Sequence, residues 1–495
     1  ERPMKYILEG HEMKHAAEEM LLHLLPTETL TRVETEQDGD ICISALTEQD
    51  GCLCAAARVT IGGETHTRSI PVLTEGLDEL SRKRAVSTAV KTSIYDAVVP
   101  FLEEPPVWGS LTGVRPAKLA RGLVERGKTR GEAAEILRSS FHVSPERTAL
   151  TIRAAATAME LDQEIGPDDI SLYVGIPFCP SRCYYCSFVS STTAQSGALI
   201  EPYLETLCGE IRETAALVRQ AGKRVQSIYI GGGTPTTLSA EQLERLTAAL
   251  ADSFDLSALR EYTVEAGRPD TITPEKLRVL KNAGVGRVSI NPQSMEDSVL
   301  AAIGRKHAAA DVLRAFDEAR QAGFREINMD VIAGLTGDTP ETFAHTIDTL
   351  IGLAPENITV HTLAIKRGAD LTDKAAAAAQ HETVSRMLDY AYHALPQAGY
   401  GPYYLYRQKF MAGGYENVGW CRPGTECFYN VTMMEELQTI LSLGAGGVSK
   451  RVDRDTGWIE RANNPKYPLE YIRAADRLAN GKKKLLFPKK ITISV

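Results

Sequence analysis

A strict alternation of short apolar runs and helical segments between residues 171 and 362 most constrains the fold of this chain. The runs have the length of strands: SLYVGI, SIYIG, EYTVEA, GRVSI, INMDVIA and NITVHTL. The helices between them are predicted over residues 200–221, 241–252, 274–282, 308–322 and 340–352. Six such units with short connections predict an α/β fold, a parallel sheet curled into a partial (β/α)6 barrel. Ligands bind such barrels at the carboxyl ends of the strands, so we expect the functional residues at that edge.

Regions of different composition flank the predicted barrel. Residues 1–165 predict a separate α/β accessory domain, with strands near its start and helices over 80–102 and 116–158. Residues 375–495 begin with a helical segment and continue into aromatic, Gly-rich sequence, which we interpret as a substrate-side α+β extension. The barrel domain is therefore predicted over residues 166–374.

Composition excludes several classes of protein. The chain has 495 residues, of which 43% are hydrophobic and 24% charged, as is typical of globular proteins. Its formal net charge of -9 argues against a nucleic-acid partner. No apolar run predicts a membrane span, and the first residues lack the pattern of a signal peptide. We therefore expect a cytoplasmic protein whose nine cysteines are reduced.

Three cysteines form a C-x-x-x-C-x-x-C triplet directly after the first apolar run. Cys179, Cys183 and Cys186 share one short segment with Pro177 and Pro180, which makes three unrelated core thiols an unattractive alternative. Three thiolates on one loop can hold three irons of a cubane cluster and leave the fourth iron open to a small molecule. Ferredoxin clusters are instead closed by a fourth cysteine. The triplet resembles the signature of radical SAM enzymes.

Polar residues or glycines follow the other predicted strands. The segment GGGTPT, residues 231–236, follows the second run, where missing side chains let backbone N–H groups approach a ligand. Glu265 ends the third run, and Gln293 follows the fourth. Arg305 lies on the next connection, and Asp330 is in the fifth run. A carboxylate can hold an amino group or a ribose diol and an arginine can hold a carboxylate, all of which occur in S-adenosylmethionine.

With these motifs the chain closely resembles the oxygen-independent coproporphyrinogen III oxidase family of radical SAM proteins, in particular its HemZ-type branch. The resemblance covers most of the chain and rests on SLYVGIPFC, CYYC, IYIGGGTPT, VEAGRPDTIT, SINPQSM, IGRKH, INMDVIAGL, YRQKFMAGGYENVG and LGAGGVSK. It implies a radical SAM partial barrel with a [4Fe-4S] cluster and S-adenosylmethionine, of which the family's established oxidase holds two molecules. The implied reaction uses a 5'-deoxyadenosyl radical to convert coproporphyrinogen III propionates to vinyl groups without oxygen, giving protoporphyrinogen IX.

The resemblance also implies roles for individual residues. The cluster ligands would be Cys179, Cys183 and Cys186, which with Tyr173 would form the catalytic centre. The residues matching contacts to the cluster-bound S-adenosylmethionine are Tyr173, Gly232, Glu265 and Val448. The residues matching contacts to a second molecule are Tyr185, Gly233, Thr234, Gln293, Arg305, Asp330 and Ala364.

Two positions depart from the pattern of the established oxidase. Phe188 stands where that enzyme carries another cysteine, and Gly175 stands where it carries a histidine. The haem chaperones of the family also place phenylalanine after the triplet. A haem-binding carrier without decarboxylase activity therefore remains an alternative, as does a radical methyltransferase or haem-degrading enzyme. Each alternative implies a tetrapyrrole ligand, and the enzymes imply an electron donor such as flavodoxin or ferredoxin.

Other residues are candidates outside these motifs. Arg407, Lys409 and Lys450 are cations that a propionate-bearing substrate needs, and each is also typical of a surface cation. His361 ends the sixth run and is either functional or simply packed.

The remaining cysteines fall into two groups. Cys421 and Cys427 lie in a loop with Gly and Pro, where a second metal or a resolving thiol is a minor hypothesis. The others lie on apolar patterns and are expected in the core: Cys42, Cys52, Cys54 and Cys208.

Overall fold

The computed structural model describes residues 3–25, 28–49, 52–186, 190–363, 381–408, 414–454 and 456–488. Three residues named above, Phe188, Ala364 and Lys409, lie outside these ranges. The described residues form two compact units, of which one comprises the chain up to Ile152, His381 and the described part of Arg407–Tyr415. The other comprises the rest from Arg153 onward and so joins the predicted barrel and C-terminal regions. The finer boundaries at residues 165 and 374 stay a prediction.

A five-stranded sheet forms the first unit. Its strands are β1 (Met4–Glu9), β2 (Leu30–Arg32), β3 (Ile41–Gln49), β4 (Cys52–Ile61) and β5 (Glu64–Val72), in the order β2-β1-β3-β4-β5. The helices are α1 (Lys14–Leu24), α2 (Glu79–Val98), α3 (Pro116–Glu125), α4 (Arg130–Phe141) and α5 (Pro145–Asp162), which crosses into the second unit. Helix α2 packs against β4 and α1 packs against α2. Met20, Val90 and Ile94 of these helices form one core with Ala55 and Val59 of β4.

The expectation that Cys42, Cys52, Cys54 and Cys208 all lie in the core is confirmed for two of them and wrong for the other two. Cys42 and Cys208 are buried, but Cys52 is exposed and Cys54 is half-buried. Successive residues of a strand point to opposite faces, and Ala55, Ala57 and Val59 occupy the buried face of β4. The even-numbered cysteines therefore fall on the other face.

The second unit contains the predicted barrel. Its strands are β6 (Asp169–Ile176), β9 (Arg224–Gly232), β10 (Glu261–Glu265), β11 (Arg287–Ser289), β12 (Glu326–Ala333) and β13 (Asn357–Thr362), each parallel to the next, and the two-residue strands β7 (Phe178–Cys179) and β8 (Ser191–Thr192) follow β6. The helices are α6 (Thr193–Ser196), α7 (Ile200–Gln220), α8 (Ala240–Ser253), α9 (Pro274–Asn282), α10 (Asp297–Ala302), α11 (Ala309–Gln321) and α12 (Pro340–Leu353). The predicted α/β fold with six parallel units is confirmed.

Additional strands extend this sheet at both edges. They are β14 (Gly401–Arg407) and β15 (Glu416–Cys421) beyond β13, and β16 (Thr439–Leu443), β17 (Val448–Val452) and β18 (Ile459–Asn463) beyond β6. The accompanying helices are α13 (His381–Gln397), α14 (Phe428–Glu435), α15 (Pro468–Arg473) and α16 (Leu478–Leu486). Within the described ranges no helix is long and apolar enough to cross a membrane.

The amino ends of the barrel strands hold the loop that carries Cys421 and Cys427. At the start of β10, the Glu261 carboxylate accepts hydrogen bonds from the Phe428 and Tyr429 backbone N–H groups at 2.7 and 3.1 Å. Burial raises the pKa of both thiols, so they are protonated at neutral pH. In the described part of the chain, no third His, Cys, Asp or Glu joins them to form a metal site.

Candidate active site

The cysteine triplet lies at the carboxyl end of β6. Cys179 ends β7, and a turn closed by the Cys186 N–H and the Cys183 carbonyl at 3.1 Å carries the other two thiols. Thr234 Oγ1 donates to Cys179 Sγ, and Arg268 Nη1 donates to Cys183 Sγ, each at 3.6 Å. Donors in these positions can hydrogen-bond to the sulfur of a metal-bound cysteine.

The donor set of this loop is compatible with a cubane cluster. Such a cluster binds each cysteine through a different iron, and three cysteines leave its fourth iron open. Three thiols, two of them facing hydrogen-bond donors, are therefore chemically suited to the open cluster that the sequence predicts.

The glycine segment after β9 supports the base of the cysteine loop. Gly233 N–H donates to the Ile176 carbonyl and Thr234 N–H to the Phe178 carbonyl, both at 2.8 Å. A Cβ on Gly233 would lie 2.6 Å from the Phe178 oxygen and 3.0 Å from Cys179 Sγ. Any side chain at this position would displace the loop, which explains the glycine physically.

Glu265 is a buried carboxyl group at the end of β10. Burial raises its pKa to about 7, and the hydrogen bond that Tyr229 OH donates at 2.7 Å opposes that shift. A Cβ on Gly231 would lie 2.8 Å from Glu265 Oε2, so this glycine leaves the room that the carboxyl group occupies. Glu265 therefore changes its charge near neutral pH, a property common in functional sites.

A stack of three tyrosines stands beside Glu265. The rings of Tyr173 and Tyr229 have centroids 6.2 Å apart, and those of Tyr229 and Tyr429 are 4.6 Å apart. Tyr229 and Tyr429 were not assigned a role from the sequence. The sequence signal for this stack was a tyrosine, Tyr229, within the otherwise apolar run SIYIG. Its stacking partner Tyr429 on α14 lies 200 residues further along the chain, so the contact could not be predicted.

Arg305 brings together residues from three segments that follow different strands. Its guanidinium donates to Tyr185 OH at 2.9 Å, to the Asn291 carbonyl at 2.7 Å and to the Gly267 carbonyl at 3.3 Å. Burial raises the pKa of Tyr185, so its hydroxyl stays protonated. The structure thus places Tyr185 of the cysteine loop beside Arg305, and their shared contact to a second S-adenosylmethionine stays a prediction.

Gln293 has a strained backbone and an unsatisfied side chain. Its φ of +69° is unusual for a residue with a Cβ. The conformation is held by hydrogen bonds from Gln293 N–H to the Asp330 carbonyl at 2.9 Å and from Ile332 N–H to the Gln293 carbonyl at 3.1 Å. Its buried Oε1 has no hydrogen-bond partner within the described ranges. A strained residue with an orphaned acceptor is typical of a ligand site.

Asp330 carries a negative charge at neutral pH. Burial alone would raise the pKa of Asp330, but two neighbours hold that pKa below its usual range. His361 Nε2 lies 3.7 Å from Asp330 Oδ2, and Asn328 donates a hydrogen bond to Asp330 Oδ1 at 2.8 Å. Asp330 and Glu265 thus lie in one barrel interior with pKa values shifted in opposite directions. Such divergence gives two carboxyl groups different tasks.

Three further candidates lie outside the six barrel strands. Val448 begins β17 and is 41% exposed, two strands from β6. Lys450 is buried with its Nζ 3.9 Å from Glu436 Oε1. Arg407 belongs to the first unit, where it donates to the Gly414 carbonyl and lies over the Trp108 ring. The alternative that Arg407 and Lys450 are surface cations is therefore wrong, because both are buried with internal partners, whereas substrate binding by either residue stays a prediction.

Comparisons with known proteins agree with this geometry. The model of the radical SAM superfamily matches residues 173–350. The oxygen-independent coproporphyrinogen-III oxidase-like protein HemZ of Bacillus subtilis is 40% identical over 386 residues, which are 77% of each chain. The heme chaperone HemW of the same organism is 41% identical over 200 residues, 40% of this chain and 51% of HemW. The solved structure of Escherichia coli coproporphyrinogen III oxidase, HemN, matches with a TM-score of 0.50 and 26% identity, over 66% of this chain and 73% of HemN.

These similarities extend over the barrel and the regions that flank it. Radical SAM proteins use a [4Fe-4S] cluster together with S-adenosylmethionine, and the thiol set at the end of β6 is suited to that pair. The identity and coverage of the HemZ comparison decide the branch. The chain therefore belongs to the HemN/HemZ-type, coproporphyrinogen-III-oxidase-like family of radical SAM proteins.

Proposed function

We propose that this protein is an oxygen-independent oxidase that converts the propionates of coproporphyrinogen III to vinyl groups, giving protoporphyrinogen IX. The observation that carries the proposal is the convergence of the cysteine triplet, Glu265 and the Arg305–Tyr185 pair at the carboxyl ends of the barrel strands. When bound, the reduced cluster and S-adenosylmethionine would supply a 5'-deoxyadenosyl radical for removal of a hydrogen atom from the β-carbon of a propionate. The resulting carbon radical would release carbon dioxide and pass one electron to an external electron acceptor, which leaves a vinyl group.

The chain's own residues bind and orient the cofactors in this proposal. The cluster ligands are Cys179, Cys183 and Cys186. The contacts to the first S-adenosylmethionine are Tyr173, Gly232, Glu265 and Val448. The contacts to a second molecule are Tyr185, Gly233, Thr234, Gln293, Arg305, Asp330 and Ala364. Tyr229 and Tyr429, the two buried members of the tyrosine stack, would keep water from the reacting centre.

Charges in the site match the groups of S-adenosylmethionine. The ionised Asp330 and, above neutral pH, Glu265 suit an amino group or a ribose diol. The buried guanidinium of Arg305 suits a carboxylate, and the orphaned Gln293 Oε1 suits a donor. A cytoplasmic location and an electron donor such as flavodoxin or ferredoxin complete the proposal.

A haem carrier is the second candidate. The observations that favour it are the 41% identity to a protein named heme chaperone and the phenylalanine at position 188. A radical methyltransferase or a haem-degrading enzyme would use the same cofactors. Product masses separate these candidates, because methyl gain, ring opening and carbon dioxide loss change a tetrapyrrole differently.

The test is an anaerobic reaction of cluster-reconstituted protein with S-adenosylmethionine, a strong reductant and coproporphyrinogen III. Two successive losses of carbon dioxide per tetrapyrrole are expected, and none in Cys183→Ser. Cys52→Ser is the matched control, since Cys52 is exposed on the sheet of the first unit and should leave the yield unchanged. Unchanged coproporphyrinogen III, with haem bound tightly in a parallel titration, would overturn the oxidase proposal in favour of the carrier.

We expect the affinity for S-adenosylmethionine to rise between pH 6 and pH 8. With a pKa of about 7, the ionised fraction of Glu265 grows from about one tenth to about nine tenths over this range. Equilibrium dialysis should therefore show up to roughly tenfold tighter binding at pH 8. Glu265→Gln should flatten this dependence. Tyr229→Phe should move its midpoint upward, because Tyr229 favours the ionised form. A wild-type affinity that does not vary with pH would contradict the assignment.

Glu265 also links pH to folding. Its pKa is about 7 in the folded chain and 4.5 in a model peptide, so the folded state holds the proton more tightly. The stability that this adds is complete below pH 4.5 and is lost as pH rises through 7. Glu265→Gln should therefore lose less stability than wild type between pH 5 and pH 8, measured by urea unfolding with intact cluster.

A further inference from the structure

Arg268 joins the end of β10 to the cysteine loop. It is 3% exposed, and its Nε and Nη2 donate to the two carboxylate oxygens of Asp270 at 3.0 Å each. The remaining Nη1 donates to Ser181 Oγ at 3.1 Å and to Cys183 Sγ at 3.6 Å. The guanidinium is therefore held in one orientation, with a nitrogen directed at one of the three triplet sulfurs.

We propose that Arg268 is a positioning residue that fixes the cysteine loop and raises the reduction potential of the cluster. This proposal rests on the proposed role of Cys183 as a cluster ligand. Reduction adds a negative charge that the ligand sulfurs share, so a hydrogen bond to a sulfur stabilises the reduced state more than the oxidised state. Because the guanidinium is buried, little water competes for the sulfur.

Asp270 determines how the Arg268 guanidinium is oriented toward the cysteine loop. Its carboxylate accepts hydrogen bonds from Nε and Nη2. Nη1 and Nη2 both donate to Ser181 Oγ, at 3.1 and 3.2 Å, and Nη1 is the nitrogen that also donates to Cys183 Sγ. His307 Nδ1 lies 3.7 Å from Asp270 Oδ1. The carboxylate thus orients the guanidinium, while the N–H in contact with the sulfur supplies the nearest positive charge.

Thr234 provides an internal comparison. Its hydroxyl donates to Cys179 Sγ at the same 3.6 Å distance, but it is neutral. Hydrogen bonds from charged donors are roughly twice as strong as neutral ones. Loss of Arg268 should therefore lower the potential more than loss of Thr234.

The experiment is a potentiometric titration of the reconstituted cluster, followed by electron paramagnetic resonance. For Arg268→Met we expect about a tenfold lower ratio of reduced to oxidised cluster at the wild-type midpoint, which corresponds to about 59 mV for one electron. Arg268→Lys keeps the positive charge but loses the planar, forked guanidinium. Its midpoint potential should therefore lie between those of the wild type and Arg268→Met. Thr234→Val should lower the midpoint potential less than Arg268→Met does. Arg314→Met on α11, a matched loss of charge at a side chain that is 55% exposed, should leave the midpoint unchanged.

Iron and sulfide analysis accompanies each titration. A full cluster with the wild-type midpoint in either Arg268 variant would overturn the proposal. If Arg268→Met does not bind the cluster, the midpoint potential of Arg268→Lys tests the proposal instead. If neither Arg268 variant binds the cluster although the thermal unfolding transition is unchanged, the result would support the role of Arg268 in fixing the cysteine loop. A wild-type protein without a cluster would refute the assignment of the cysteines, and a normal cluster without decarboxylation would refute only the proposed reaction.

Discussion

Replacing Cys183 with serine is expected to remove the cluster and to reduce 5'-deoxyadenosine formation to background. Cys183 is the one triplet cysteine that is buried, and its sulfur accepts a hydrogen bond from Arg268. A serine hydroxyl is not ionised at neutral pH and is a poor ligand for iron in a cluster. Loss of even an outer-shell partner typically costs 10–100-fold in metal affinity, so loss of a ligand should cost more than about 100-fold.

Iron and sulfide content after reconstitution measures this effect directly. Cys52→Ser makes the same chemical change on the exposed face of β4 and should retain the wild-type content. Cys427→Ser tests the other cysteine loop, at the amino ends of the strands, and is expected to keep the cluster. A stoichiometric cluster in Cys183→Ser would show that this thiol is not a ligand.

Replacing Lys482 with methionine is expected to destabilise the second unit by about 3–5 kcal/mol. Lys482 Nζ lies 2.5 Å from Glu210 Oε1, and both side chains are buried. Glu210 also accepts hydrogen bonds from Tyr471 OH at 2.6 Å and from Gly444 N–H at 2.8 Å. Removal of the ammonium group would leave a buried carboxylate without its counter-charge, which is the costly case for a buried pair.

The free energy of unfolding in urea measures this loss. Lys484→Met is a matched control on α16, since Lys484 is exposed and its replacement should change stability by less than about 0.5 kcal/mol. The double variant Lys482→Met with Glu210→Leu should recover part of the loss, because it removes both charges together. A loss below about 1 kcal/mol for Lys482→Met alone would contradict the importance of this pair.

The same network explains how a C-terminal helix bears on the cluster site. Glu210 holds the backbone of Gly444, and a Cβ there would overlap the Gly175 carbonyl at the end of β6. Tyr203 OH reinforces the junction, donating to the Gly175 carbonyl at 2.7 Å and accepting from Ala445 N–H at 2.8 Å. Glu210 and Tyr203 therefore fix the position of the 444–447 loop beside the strand that leads into the cysteine triplet.

Periodicity and spacing along the chain predicted the barrel because both are local properties. Each apolar run could be placed as a strand from its own residues, and the triplet spacing itself indicated three ligands on one loop. The misplaced cysteines, Cys52 and Cys54, show the limit of this reasoning, since an apolar strand pattern does not reveal which face is covered.

Contacts between distant segments could not be predicted. Arg268 and Ser181 are 87 positions apart, and Arg407 donates to the Leu111 carbonyl 296 positions away. A cation in an isolated motif is therefore indistinguishable from a surface cation until the fold supplies its partner. The pKa of Glu265 depends in the same way on burial that only the assembled barrel provides.

Transfer of deuterium is the most direct test of the central claim that this site removes hydrogen from a tetrapyrrole propionate. Coproporphyrinogen III deuterated at the propionate β-carbons would be incubated anaerobically with the reconstituted protein, reductant and S-adenosylmethionine. We expect 5'-deoxyadenosine that carries one deuterium for each carbon dioxide released. Unlabelled 5'-deoxyadenosine together with unchanged coproporphyrinogen III would contradict it.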